Sequence, residues 1–166
     1  MKFDIILAGV GGQGVLSVSS VIASSAMQEG LHVKQSEVHG MSQRGGAVLA
    51  NLRLSDQPIA SDLIPRGTAA MVLSMEPLES RRYLEFLAAS GTVVTATNPV
   101  VNIADYPPVD DVLAHVRSLP HALTIDAEGR ATAFGYDGLD RNVVVTDALG
   151  SVAYHVYDAR GNELQQ

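Results

Sequence analysis

The segment "IILAGVGGQG", residues 5–14, decides the fold, because an uncharged apolar run there breaks into four glycines around a single glutamine. A continuous apolar run that ends at glycine is typical of a strand buried on both faces of a parallel sheet. The apolar residues that follow recur at helical spacing: Val15, Val18, Ile22 and Ala26. The segment therefore predicts a strand, a glycine turn and a helix in succession.

The chain on either side of this segment alternates strands with helices. Further strands are predicted at residues 32–36, 47–54, 69–75, 91–97 and 121–126, and helices at 77–88 and 106–119. Pro77 suits the first turn of a helix. The alternation predicts an α/β fold, a three-layer sandwich around a mostly parallel, Rossmann-like sheet. Residues 127–166 carry turn glycines and β-rich runs such as "NVVVT", which predict a β-rich C-terminal tail of strands or a hairpin.

Composition narrows the function classes. The 166 residues are 46% hydrophobic and 17% charged, which fits an ordinary globular domain with a real core. The net charge of −7 and the lack of a basic cluster argue against nucleic acid as a partner. The sequence has no cysteine, so it offers no disulfide and no cysteine ligand for zinc or an iron–sulfur cluster. The uncharged stretch 5–28 contains four glycines and five serines, unlike a membrane span or a signal peptide, and we expect a cytoplasmic protein.

The first glycine loop fits a phosphate-binding pattern. Gly9, Gly11 and Gly14 match G-x-G-x-x-G between a strand and a helix, where free N–H groups at the helix start would point at an anion. Glu37 follows the second predicted strand, where a ribose-binding acid stands in dinucleotide sites. The alternative is that these glycines only make a close strand–helix turn, and the pattern alone leaves both interpretations open.

A second loop, "EVHGMSQRGGAV", concentrates polar residues between two predicted strands. Loops at strand ends are where α/β proteins bind their ligands. Arg44, flanked by flexible backbone, could bind a phosphate or carboxylate with a fork of donors. Alternatively, Arg44 pairs with Glu37 or Asp62, and His39 caps a turn. No grouping of histidines and carboxylates in the sequence has metal-ligand spacing, and we see no catalytic triad.

Four collinear stretches carry a family resemblance. They are "MKFDIILAGVGGQGVLS", "LHVKQSEVHGMSQRGGAV", "LRLSDQPIASDLIPRG" and "MEPLESRRYL". Together they resemble the small (beta) subunits of indolepyruvate ferredoxin oxidoreductases, members of the gamma-domain family of 2-oxoacid:acceptor oxidoreductases. The match runs from Met1 to about Asp126, and the pairing of G-V-G-G-Q-G with E-V-H-G-M-S-Q-R-G-G is specific.

The resemblance implies a subunit that is not catalytic alone. Enzymes of this family convert an aryl 2-oxoacid and coenzyme A to acyl-CoA and carbon dioxide, and pass the electrons to ferredoxin. Thiamine diphosphate and iron–sulfur clusters belong to the large (alpha) partner subunit, and coenzyme A is a substrate. The resemblance also implies that both glycine loops line the subunit junction near the active centre, a binding set with no catalytic residue and no metal ligand. The implied residues are Gly9, Gly11, Gly12, Gln13, Gly14, His39, Gly40, Ser42, Gln43, Arg44, Gly45 and Gly46.

The resemblance weakens after Asp126, which divides the chain into a gamma-type domain, residues 1–126, and an atypical tail, residues 127–166. The tail resembles Rhs-type YD repeats, with Tyr-Asp pairs at Tyr136 and Tyr157. Alternatively it is the family's final helix pair, strongly diverged. Two other functional hypotheses remain at this point: a stand-alone NAD-binding Rossmann-like domain, and a folded, non-functional protein with a replaced C-terminus.

Overall fold

The computed structural model describes residues 1–39, 45–101 and 103–126, and then the backbone of five short strands. The chain divides into two compact units, Met1–Ile125 and Asp126–Gln166. The strands of the first unit are β1 (Lys2–Val10), β2 (His32–His39), β3 (Ala47–Ser55), β4 (Ala69–Ser74), β5 (Leu87–Ala96) and β6 (Ala122–Ile125). Its helices are α1 (Val15–Gln28), α2 (Pro77–Arg82) and α3 (Val109–Arg117), with a 3-10 turn at Leu84–Phe86.

The first unit is built on a six-stranded sheet in the order β2-β3-β1-β4-β5-β6. Strands β1, β4, β5 and β6 are parallel to one another, and β3 runs antiparallel to both β1 and β2. Five strands therefore point in one direction and β3 points in the other, so the predicted α/β fold with a mostly parallel sheet is confirmed.

Two apolar clusters on opposite faces of the sheet give the three layers. On one face, α1 packs over β1 and β3, with Ile5, Leu7 and Leu52 fully or nearly buried beneath it. On the other face, Ile6, Val72 and their neighbours pack against α3 and the segment after α2. Because both faces of β1 are covered, its apolar run is continuous rather than alternating.

The bounds of several predicted elements differ from the structure. The helix predicted at 77–88 ends at Arg82, and the chain from Leu87 belongs to β5. The apolar spacing after Arg82 resembled a helix, but pairing of Ala69 with Leu87 on β4 and β5 decides its conformation. The strand predicted at 32–36 continues to His39, because its partner β3 extends the ladder as far as Val48.

The second unit is described only through its strands. These are β7 (Ala133–Tyr136), β8 (Asn142–Thr146), β9 (Val152–Tyr154), β10 (Val156–Tyr157) and β11 (Glu163–Gln165). Strands β7, β8 and β9 form an antiparallel sheet, and β10 pairs with β11. The predicted β-rich tail is therefore confirmed, while its origin in YD repeats stays a prediction.

Candidate functional site

The glycine loop lies between the end of β1 at Val10 and the start of α1 at Val15. Two of its glycines have left-handed backbone conformations, with φ 102° at Gly12 and φ 77° at Gly14. Gly14 is also the N-cap of α1, where no side-chain hydrogen bond from the described residues caps the helix. Residues with a Cβ are strained in this conformation, so these two positions require glycine to make the turn.

Gly9 has a different role, which is close packing. A Cβ placed on Gly9 would lie 2.7 Å from Val15 Cγ2, 3.0 Å from Gln13 Oε1 and 3.2 Å from Met75 Cβ. The first distance is shorter than any ordinary carbon–carbon contact. The missing side chain therefore lets the first turn of α1 lie directly against the end of β1.

Gln13 is the one polar side chain among the glycines of this loop, and both ends of its amide form hydrogen bonds. Its Oε1 accepts a hydrogen bond from the Val10 N–H at 2.8 Å, and its Nε2 donates to the Met75 carbonyl at 3.0 Å. Met75 directly follows β4, and its own N–H donates to the Ala8 carbonyl at 2.9 Å. The Gln13 amide therefore links the ends of the neighbouring parallel strands β1 and β4.

This link crosses the place where open α/β sheets usually bind ligands. After β1 the chain turns to the face that carries α1, whereas α2 follows β4 on the opposite face with α3. The crevice between two such strands, at their carboxyl ends, is the topological switch point. Here the half-buried Gln13 side chain bridges the two strand ends at that point.

Several loop amides are already used within the protein. The Gly11 N–H donates to the Gly46 carbonyl at 2.8 Å, and the Gln13 N–H donates to the Val10 carbonyl at 3.1 Å. The first intrahelical bond of α1 runs from Val18 to Gly14, so the amides of residues 15–17 precede the helical ladder. The part of the loop able to meet an anion is therefore the start of α1, not the amides of Val10, Gly11 and Gln13.

The second glycine loop joins the first through backbone hydrogen bonds. The Gly45 N–H donates to the Gly11 carbonyl at 3.4 Å, alongside the Gly11–Gly46 bond. Of the predicted binding residues, Gly40, Ser42, Gln43 and Arg44 lie outside the described residues, and His39 is described only as the last residue of β2. The structure thus brings Gly9–Gly14 together with Gly45 and Gly46.

Glu37 does not lie where a dinucleotide site has its ribose-binding acid. Glu37 lies within β2, opposite Ala50 of β3, which in turn pairs with Leu7 of β1. Since antiparallel β3 separates β2 from β1, Glu37 lies two strand spacings, about 10 Å, from β1. A ribose-binding acid stands on the strand beside β1, so this position does not reproduce a dinucleotide site.

A buried carboxylate pair follows β4 and was not found by sequence reasoning. Glu76 Oε2 accepts from the Glu79 N–H at 2.8 Å and so caps α2, while Glu76 Oε1 accepts from the Tyr106 hydroxyl. Burial raises the pKa of the Glu79 carboxyl, with Arg82 at 3.0 Å opposing the rise and Glu76 adding to it. Burial and the hydrogen bond to Glu76 raise the pKa of the Tyr106 hydroxyl, which keeps it a donor. The sequence signal was an acidic residue before a helix-starting proline.

A buried ion pair lies toward the amino end of β1, away from the glycine loop. Arg53 on β3 binds Asp4 with two hydrogen bonds of 3.0 and 3.1 Å, and donates also to the Ser61 and Leu63 carbonyls. Asp4 is 2% exposed and Arg53 8%. This guanidinium is held by the protein's own acceptors, so we assign the pair a structural role. The sequence feature that could have indicated this ion pair is Asp4, a charged residue inside an otherwise apolar strand.

Residues 1–39, 45–101 and 103–126 contain no cluster of three or more histidine or acidic side chains able to hold a metal ion. No helix in the same part of the chain is long and apolar enough to cross a membrane.

Comparison with known proteins shows which family the chain belongs to. The sequence model of the pyruvate ferredoxin/flavodoxin oxidoreductase family matches residues 4–157, which includes most of the β-rich tail. The chain is 36% identical to indolepyruvate oxidoreductase subunit IorB of Archaeoglobus fulgidus over 156 residues, covering 90% of this chain and 76% of that protein. The IorB subunit of Pyrococcus horikoshii is 35% identical over 156 residues, covering 89% of this chain and 76% of its own length.

Solved structures show the same fold. The pyruvate oxidoreductase subunit PORC of Thermotoga maritima superposes with a TM-score of 0.55 at 20% identity, covering 76% of this chain and 62% of that one. A 2-oxoglutarate:ferredoxin oxidoreductase from Magnetococcus marinus, with 2-oxoglutarate, coenzyme A and succinyl-CoA bound, gives 0.56 at 17% identity. That likeness covers 77% of this chain and 20% of the larger one. These two solved structures thus share the α/β fold described above.

The chain belongs to the pyruvate ferredoxin/flavodoxin oxidoreductase family. Within that family its similarity is to the indolepyruvate oxidoreductase IorB subunits, so the stand-alone NAD-binding alternative is not supported.

Proposed function

We propose that this chain is the small subunit of a thiamine-dependent, indolepyruvate-type 2-oxoacid:ferredoxin oxidoreductase. The observation that carries the proposal is the 36% identity to an indolepyruvate oxidoreductase subunit over nine-tenths of the chain. The complex would decarboxylate an aryl 2-oxoacid oxidatively and transfer the acyl group to coenzyme A. Each turnover would release carbon dioxide and two electrons, which ferredoxin accepts.

The redox groups would belong to the large partner subunit. Cluster ligation of the usual kind needs cysteine thiolates, and this sequence has none. The residues present therefore do not fit an iron–sulfur cluster, and the described residues provide no acidic cluster for the metal that accompanies a diphosphate cofactor. The contribution of this chain would be a binding surface at the junction with the large subunit.

The glycine edge, defined as Gly9–Gly14 with Gly45 and Gly46, is our candidate for that surface. Gly12, Gly14 and Gly45 are exposed, and a Cβ on any of them would have no atom within 4 Å. Such positions permit close approach of another backbone. The uncapped start of α1 has no acidic residue in its first turn, which suits an anionic group such as the pyrophosphate of coenzyme A.

Co-expression with a large subunit tests the proposal. We expect the two chains to elute together in size-exclusion chromatography and to reduce ferredoxin only when indolepyruvate and coenzyme A are both present. The isolated small chain should be inactive. If the two chains do not associate, or if the small chain alone reduces ferredoxin, the proposal is wrong. Failure to associate would support instead a folded chain whose C-terminus no longer permits assembly.

A further inference from the structure

Gln13 holds an unusual position for a side chain in a glycine loop. It lies half-buried between the carboxyl ends of β1 and β4 and uses both ends of its amide, at 2.8 Å to Val10 N–H and 3.0 Å to Met75 O. The residue after Met75 is Glu76, which is 1% exposed and fixed by Ser74 and Tyr106. The acceptor carbonyl of the link therefore belongs to an anchored segment.

The link continues to the other side of β1. Gly11, next to the Gln13-bonded Val10, exchanges hydrogen bonds with Gly45 and Gly46. A continuous series of hydrogen bonds therefore joins the second glycine loop, the first glycine loop and the β4–α2 connection. Gln13 is the only side chain in that series between Gly45 and Met75 among the described residues.

We infer that Gln13 is a positioning residue: its amide fixes the glycine edge in the conformation that the large subunit recognises. That the large subunit is the partner rests on the proposed function, whereas the fixing of the loop is a property of this chain alone. An amide is needed because the two sites differ in chemistry, one being a donor and the other an acceptor.

Two substitutions separate the hydrogen bonds from the packing. Gln13→Met keeps the length and volume of the side chain and removes both hydrogen bonds. Gln13→Glu keeps the acceptor for Val10 N–H, but it can donate to the Met75 carbonyl only when the introduced carboxyl is protonated. Gln57→Glu is the matched control, because Gln57 is exposed and lies just after β3, at the opposite end of the sheet from the glycine edge.

Amide hydrogen exchange of the isolated chain, followed by NMR, reports the state of the loop. We expect the Val10 amide to exchange about tenfold faster in Gln13→Met than in the native chain, while the Val72 amide at the centre of the sheet is unchanged. A purely structural defect would accelerate both amides. Equal exchange at Val10 in the native chain and in Gln13→Met would overturn the inference.

The pH dependence of Gln13→Glu gives a second readout. The introduced carboxylate can still accept from the Val10 N–H, but once ionised it has no hydrogen for the Met75 carbonyl oxygen and repels it, which displaces the side chain and loosens its bond to Val10. After correction for intrinsic exchange, protection of the Val10 amide should therefore be greatest where the introduced carboxyl is protonated, below the ordinary glutamate pKa of about 4.3, and should fall as the pH rises and the carboxyl ionises. Gln13→Met and Gln57→Glu should show no such transition. A Gln13→Glu profile that also lacks it would contradict the donor role.

Affinity for the large subunit then tests whether the fixed loop conformation is needed for assembly. At neutral pH we expect both Gln13 variants to bind the large subunit about tenfold more weakly than Gln57→Glu, which should match the native chain. Unchanged affinity in variants whose Val10 amide has lost protection would refute the positioning role. If the native chain itself does not bind, the proposed function fails, whereas the exchange results still decide whether Gln13 fixes the loop.

Discussion

Substitution of Gly9 by alanine tests how closely the glycine turn packs α1 against the sheet. The added methyl would lie 2.7 Å from Val15 Cγ2, and Val15 is buried and β-branched, so its side chain cannot rotate away freely. Overpacking of this kind costs about 1–3 kcal/mol. We expect a loss in the free energy of unfolding within that range, measured by urea denaturation at the helical circular-dichroism band. All the described helices lie in the first unit, so this band reports on it.

A double-mutant cycle identifies the cause of that loss. Val15→Ala alone removes two buried methyl groups and should cost about 2 kcal/mol. It also makes room for the new methyl, so the double variant should be more stable than the sum of the single effects by about 1 kcal/mol. Additive effects, or a Gly9→Ala variant within about 0.5 kcal/mol of the native chain, would refute the packing argument.

Three further predictions concern charged groups. Arg53→Ala leaves the Asp4 carboxylate buried without its main partner and should cost about 3–5 kcal/mol in urea denaturation, with a smaller loss in the Asp4→Asn, Arg53→Met double variant. Burial raises the pKa of the Glu79 carboxyl above 4.5, so the contribution of Glu79 to stability is greatest below that pH and is lost as the pH rises through the raised value. We expect Glu79→Gln to flatten this decline of stability with pH in thermal denaturation. An unchanged pH profile would contradict the raised pKa. Arg44→Ala should weaken coenzyme A binding to the assembled complex by about 1.5–3 kcal/mol in calorimetry, and equal binding by the variant would remove Arg44 from the site.

The fold could be predicted from local patterns because most elements bury apolar residues at a regular spacing. The strand at residues 3–8, the glycine turn and α1 follow directly from that spacing. The error at residues 77–88 has a tertiary cause, since Leu87 is drawn into β5 by its pairing with β4. The antiparallel insertion of β3 depends on long-range pairing, and the sequence alone carries no local sign of it.

The place of the first glycine loop in the fold could be predicted, but the contacts that it makes could not. The four glycines marked the carboxyl end of β1, where binding loops of α/β proteins gather. The roles of the loop residues depend on contacts that form only on folding. The role of Gly9 depends on its distance to Val15, and the role of Gln13 depends on the carbonyl of Met75, 62 residues further along the chain. Glu76 and Tyr106 are likewise brought together only by folding.

Titration of the large subunit with this chain tests whether the chain is a required subunit of the oxidoreductase. The rate of indolepyruvate- and coenzyme A-dependent ferredoxin reduction is measured at a fixed concentration of the large subunit while the small chain is added. We expect a rate that rises with added chain and saturates at a fixed stoichiometry. A rate that is already maximal without the chain, and that does not change when the chain is added, would contradict it.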